Sequence, residues 1–156
     1  MILNKQIGVF LNLVHNRFKQ YITVSFQKKG YNITPEQFLV MDALWDNGTL
    51  SQQQIADTIL KDKNSVVKLI DGLEKKNLVN RVADKQDRRQ NLIEITPLAA
   101  DMKNEITDSA MEAVNLITKD IPSEELQTFI KVLSKMAENM DDNGNLLKLT
   151  SHGQTV

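Results

Sequence analysis

The chain of 156 residues has no cysteine, only two histidines and three prolines, and 5% aromatic residues. Without thiols there can be no disulfide, thiolate nucleophile, cysteine-based zinc site or thiol redox sensor. His15 and His152 are the only imidazoles, so a histidine-rich metal site within one chain is not expected. No apolar run approaches the ~20 residues that span a bilayer. The opening, MILNKQIGVFLNLVHNRFKQ, is broken too often by Asn, Lys, Gln and His for a signal-peptide core, and no small-residue cleavage site follows. A cytoplasmic protein is expected. No nucleophile–base set, phosphate-cradling glycine loop or metal-ligand spacing is visible, so neither an enzyme nor a cofactor is expected.

Large net charge is also missing: the formal total is −1. Its distribution is uneven. Before Thr34 there are five basic residues and no acidic one, whereas Thr34 to Leu60 holds four acids and no base. Lys61 to Gln90 holds nine bases against five acids, and Asn91 onward five bases against eleven acids. A local basic segment inside a neutral total suits a docking face for a polyanion.

What is present reads as helices punctuated by caps. Ile7, Phe10, Leu11, Val14, Phe18, Tyr21 and Ile22 recur at helical offsets, and Gly30 suits the end of that helix. Thr34-Pro35-Glu36-Gln37 is a capping box with proline at the first helical position. The helix it opens is apolar nearly all round (Phe38, Leu39, Val40, Met41, Leu44, Trp45) and is expected to be central. Ser51 and Gln54 repeat the box before a short helix ending near Leu60. A third start, at Asp62, leads a helix with Val66, Leu69, Ile70 and Leu73 on one face, stopping near Asn77. Val79–Ala83 and Leu92–Thr96 can pair as a hairpin around Asp84–Gln90. Thr96-Pro97 opens a long helix to about Lys119, and Ser123 is the expected cap of a last one to about Met140. The remaining tail has no period and is expected to be flexible.

The order is helix, helix, short helix, helix, β-hairpin, long helix, helix. It predicts a mainly α fold with a small β-hairpin wing: a winged helix-turn-helix flanked by long helices. One domain is expected over residues 1–140. The winged helix would be 31–100, the flanking helices 1–30 and 101–140, with 141–156 as the tail.

Two stretches carry the functional signal. The helix after Asp62 turns Lys63, Asn64, Val67, Lys68, Asp71 and Lys75 away from its apolar face, with Ser65 at the edge. A helix that reads a major groove needs such hydrogen-bonding and cationic groups near its N-terminus. Gly72 sits mid-helix at a cost of about 1 kcal/mol relative to alanine, for which the sequence offers no account. The second stretch is DKQDRRQNLIEIT, Asp84 to Thr96. If Asp87–Arg89 is extended, Asp87 and Arg89 share a face, and Asp87 can hold the Arg89 guanidinium in a fixed fork. A pre-set arginine suits a narrow minor groove, while Lys85 and Arg88 would reach phosphates.

From Ser51 to Ala99 the chain, SQQQIADTILKDKNSVVKLIDGLEKKNLVNRVADKQDRRQNLIEITPLA, resembles the MarR family of bacterial transcription regulators. The matching pieces are LSQQQIA, VVKLIDGLEKKNLV, the wing with Asp84 and Asp87-Arg88-Arg89, and ITPLA. The resemblance implies a homodimer on a palindromic operator, acting as a repressor, with 31–100 as the DNA-binding lobe and 1–30 with 101–140 as the helical dimerisation region. Lys63, Asn64, Ser65 and Lys68 would contact the major groove, Arg89 would enter the minor groove, and Asp87 would support it. It also implies release by a small aromatic or anionic ligand, for which His15, Arg17 and Trp45 are the candidates. Two departures stand out: Gly72 where the family often has a basic residue, and Asn77 where it often has glycine. The rival reading is a winged-helix protein-interaction module that binds no DNA.

Overall fold

A computed structural model of the chain describes residues 3–140. The tail expected to be flexible, and His152 with it, lie outside the described residues. The fold falls into two compact units divided after Ile117.

The first unit begins with α1 (Leu3–Lys28) and α2 (Pro35–Asn47). Thr34 caps α2 in the expected box: its hydroxyl accepts from the Gln37 amide, and the Gln37 side chain accepts from the Thr34 amide. Gly48, at φ 74°, ends the helix. Next come β1 (Leu50–Ser51), α3 (Gln52–Ile59), α4 (Lys63–Lys75), β2 (Val79–Ala83), β3 (Asn91–Ile95) and α5 (Pro97–Ile117). Ser51 and Gln54 form the second capping box, on α3. The expected hairpin is there, but it belongs to a three-stranded antiparallel sheet in the order β1-β3-β2. β1 is only two residues long, too short to show alternation, and it pairs Leu50 with Ile93 and Ser51 with Leu92.

The core lies where α2, α3, α4 and the inner face of the sheet meet. Phe26, Met41, Leu44, Ile55, Ile70, Leu73, Ile93 and Ile106 are its largest fully buried side chains. α2 is central as expected except at Leu39, which is 43% exposed. Trp45 stacks edge-on against Phe38, and its indole N–H donates to the Ala99 carbonyl (3.2 Å), tying α2 to α5. α1 joins this core only through its last turns: Ile22 and Phe26 are buried, while Ile7, Phe10, Val14 and Phe18 stay exposed.

Asn77 has φ 56°, in the left-handed region. Asparagine tolerates that conformation better than most residues, so it can stand where a glycine is the commoner choice.

The second unit contains α6 (Ser123–Met140), with Phe129, Ile130 and Val132 exposed. The Pro122 carbonyl accepts from the Leu126 amide, so the cap position falls at Pro122 and Ser123 is the first helical residue rather than the cap. No helix among the described residues is long and apolar enough to cross a membrane.

Candidate nucleic-acid interface

α4 starts on a tight cap. Asp62 accepts from the Ser65 amide (2.9 Å) and from the Ser65 hydroxyl (2.6 Å). Those two bonds, the hydroxyl first, hold the Asp62 carboxyl below the usual carboxylate range. Stabilisation from this cap is therefore present above the ordinary aspartate pKa and is lost as pH falls through the lower, folded one. Lys63, Asn64 and Lys68 are exposed beyond the cap, with Ser65 and Val67 half-buried beside them. The Ser65 hydroxyl already donates to Asp62, which leaves it as an acceptor toward any outside partner.

Asp71 lies on this outward face with its side chain 48% exposed, yet its carboxylate is engaged. It turns to the sheet and binds Arg81 Nη2 at 2.5 Å, while Arg81 Nη1 binds Glu74. Arg81 was not singled out from the sequence. A signal for it existed: Val79 and Arg81 alternate on one side of β2, so the inner face of the sheet carries a cation opposite two acids spaced one helical turn apart on α4.

The wing tip is built differently from the expectation. Asp84 accepts from the Gln86 amide (2.9 Å), and Asp87 accepts from the Arg89 amide (3.0 Å). The Gln90 amide closes back on the Asp87 carbonyl (3.0 Å). Asp87–Arg89 is thus a turn and not extended. The Asp87 carboxylate holds the Arg89 backbone, and among the described residues no ion pair joins it to the Arg89 guanidinium. The reason is local: an aspartate at the first position of a turn reaches the amide two residues on more readily than a long side chain folded back on it. Lys85, Arg88 and Arg89 are all exposed at this tip.

Gly72 now has an explanation. A Cβ there would lie 2.6 Å from Gln37 Nε2. Gln37 is buried, and its Oε1 accepts both from the Thr34 amide and from Lys76 Nζ (2.9 Å). Lys76 also donates to the Asn32 carbonyl (2.6 Å). The glycine gives the α2 capping glutamine room to reach the end of α4. Burial lowers the Lys76 pKa.

His15 and Arg17 are exposed on α1, and the indole N–H of Trp45 is already engaged. An open cleft of about 860 Å³ lies instead between the start of α3 and the outer face of the wing, lined in part by Gln53, Gln54, Lys85, Leu92 and Glu94. None of those three ligand candidates borders it. Among the described residues no group of three or more His, Asp or Glu side chains could hold a metal ion.

Residues 33–90, which run from the start of the capping box to the end of the wing tip, match the model of the MarR family. Over this segment the chain is similar to proteins of the MarR family. It is 26% identical over 134 residues to the HTH-type transcriptional regulator MhqR of Bacillus subtilis, covering 86% of this chain and 91% of that one. It is 28% identical over 114 residues to the HTH-type transcriptional regulator SarZ of Staphylococcus epidermidis, covering 72% and 76%. Among solved structures it resembles BpsR of Bordetella bronchiseptica, whose DNA binding is regulated by 6-hydroxynicotinic acid (TM-score 0.78, 23% identity, 88% and 96% of the chains). It also resembles a mutant MarR from E. coli complexed with operator DNA (TM-score 0.77, 18% identity, 87% and 99%). The winged helix-turn-helix expected from the cap pattern is therefore the observed fold.

Proposed function

We propose that the chain is a DNA-binding transcriptional regulator that reads a palindromic operator as a homodimer. The observation that carries this reading is the placement of exposed cations that have no ion-pair partner among the described residues. On α4, Lys63 and Lys68 project beside Asn64 from a helix whose apolar side is already buried. At the wing tip, Lys85, Arg88 and Arg89 project from a turn fixed by Asp84 and Asp87. A helix face and a loop tip, both cationic and both on one lobe, fit adjacent major and minor grooves.

In this reading Asn64, Lys68, Ser65 and Val67 meet base edges, and Lys63 meets phosphate. Lys85 and Arg88 meet phosphate at the wing, and Arg89 enters the minor groove. Asp87 supports Arg89 through the backbone of the turn. The exposed apolar stripe of α1 supports the dimer. Repression relieved by a small anionic aromatic ligand is supported by the resemblance to BpsR.

The test is selection of bound fragments from a genomic library by the purified protein, followed by titration of the enriched duplex at several salt concentrations. Affinity for the enriched sequence should exceed that for unrelated duplex by roughly a thousandfold or more. Binding to no duplex at any salt would favour a protein-interaction module.

A further inference from the structure

We propose that Arg81 is a positioning residue that locks the wing to the recognition helix, so that α4 and the wing tip meet DNA as one rigid body. The proposal rests on the DNA-binding reading above.

Three observations carry it. Arg81 lies in the nine-base segment, yet its side chain is only 20% exposed, with one guanidinium nitrogen on Asp71 and the other on Glu74. The two acids stand three residues apart on α4, on the side facing β2, so one planar fork spans both. β2 leads directly into the turn that carries Arg88 and Arg89. β2 also has only one partner strand, β3, and the tip beyond them makes no contact with α4 among the described hydrogen bonds. The orientation of the tip relative to α4 is therefore set at the base of the wing. There the buried side chain of Val79, paired with Ile95, holds the inner end of the hairpin, and Arg81, directly across from buried Ile93, is the next residue outward on the same face. A two-element reader needs that orientation fixed, because the spacing between its groove contacts must match the duplex.

This role differs in sign and in signature from direct contact with DNA. A phosphate-binding arginine contributes to the salt slope, and losing it lowers that slope by about one per contact. A positioning arginine leaves the slope unchanged while the specific affinity falls. Likewise, deleting Asp71 and Glu74 removes two negative charges beside a polyanion and by charge alone would tighten binding. If they hold Arg81, deletion loosens specific binding.

The absence of cysteine allows a direct measurement. Lys68→Cys and Gln86→Cys together place one label on α4 and one on the wing of each chain, and refolding the labelled chain with excess unlabelled protein leaves one labelled pair per dimer. With Arg81 in place, the label distance should have a single narrow distribution. In folded Arg81→Gln it should broaden, and Arg81→Lys should fall between, because one ammonium cannot span both carboxylates. In the unlabelled protein, Arg81→Gln should reduce operator affinity about tenfold, the worth of a lost base contact, with the salt slope and the affinity for unrelated duplex unchanged. If Arg81→Gln does not fold, the Asp71→Asn, Glu74→Gln pair carries the same expectations. An unchanged narrow distribution in the folded variant would overturn the proposal, as would a lowered salt slope. The label arm needs no DNA. If the wild-type protein prefers no duplex, the DNA-binding reading fails while the lock is still decided by the distance distributions.

Discussion

α1 and α4 are both amphipathic helices, and they treat their apolar faces in opposite ways. α4 buries Val66, Ile70 and Leu73 completely and leaves Lys63, Asn64 and Lys68 outward. α1 buries only Ile22 and Phe26, leaving Ile7, Phe10, Val14 and Phe18 exposed along its earlier turns. A helix whose apolar side is already satisfied offers its polar side to a polar partner. A long apolar stripe left in water is stabilised only by another apolar surface, at roughly 25 cal/mol per Å² removed from water before ordering costs. One helix is thus suited to nucleic acid and the other to protein, and the division can be attacked from either side.

The largest effect is expected on α1. Phe10→Asp with Val14→Asp should give a folded monomer by equilibrium ultracentrifugation, since neither side chain is in the core. Losing the second half-site should weaken operator binding on the order of 100-fold or more, because the second contact is no longer intramolecular. A double variant that stays dimeric would remove α1 from the interface.

The next effect is at the wing. Arg89→Ala should reduce operator affinity roughly tenfold and lower the salt slope by about two for a dimer, one per wing. Fluorescence anisotropy at several salt concentrations measures both. An unchanged slope would mean that Arg89 does not approach a phosphate-lined groove.

Asp87 separates the observed turn from the fork expected of an extended chain. Asp87→Asn keeps an oxygen that can accept from the Arg89 amide, whereas Asp87→Ala keeps none. Operator affinity should therefore stay near wild type in the first and fall a few-fold in the second, the scale of a hydrogen bond worth about 1 kcal/mol. Equal loss in both variants would point to the carboxylate charge rather than to the turn.

The smallest effect on binding, but a clear one on stability, is expected at Gly72. In an open helix, glycine to alanine is favourable by about 1 kcal/mol. Here the added Cβ would meet Gln37 Nε2 at 2.6 Å, on a side chain held by Thr34 and Lys76. Gly72→Ala should instead destabilise by about 1–3 kcal/mol in chemical denaturation. Stabilisation would show that Gln37 can move aside at little cost.

The helices were legible in the sequence because their signals are local. Thr34 with Gln37, and Ser51 with Gln54, sit three residues apart and announce helix starts without knowledge of the fold. The wing strands were legible from alternation, and the basic tip from composition. What escaped is what depends on residues far apart in the chain. Gly72 makes sense only beside Gln37, thirty-five positions earlier. The partner of Asp71 escaped because a helical wheel cannot see that β2 brings Arg81 against it. β1 escaped because two residues carry no periodicity. At the tip the geometry escaped: aspartate can hold either a guanidinium or a backbone amide, and the turn made the amide the nearer partner.

The central claim is that α4 and the wing tip together recognise a specific duplex. Its most direct test is the ratio of affinities for the library-enriched duplex and an unrelated duplex of equal length, measured by anisotropy for the wild type and for Asn64→Ala with Arg89→Ala. A large ratio is expected for the wild type, falling by roughly a hundredfold in the double variant as base-edge and groove contacts are lost. A ratio near one in the wild type, or one unmoved by the double variant, would contradict it.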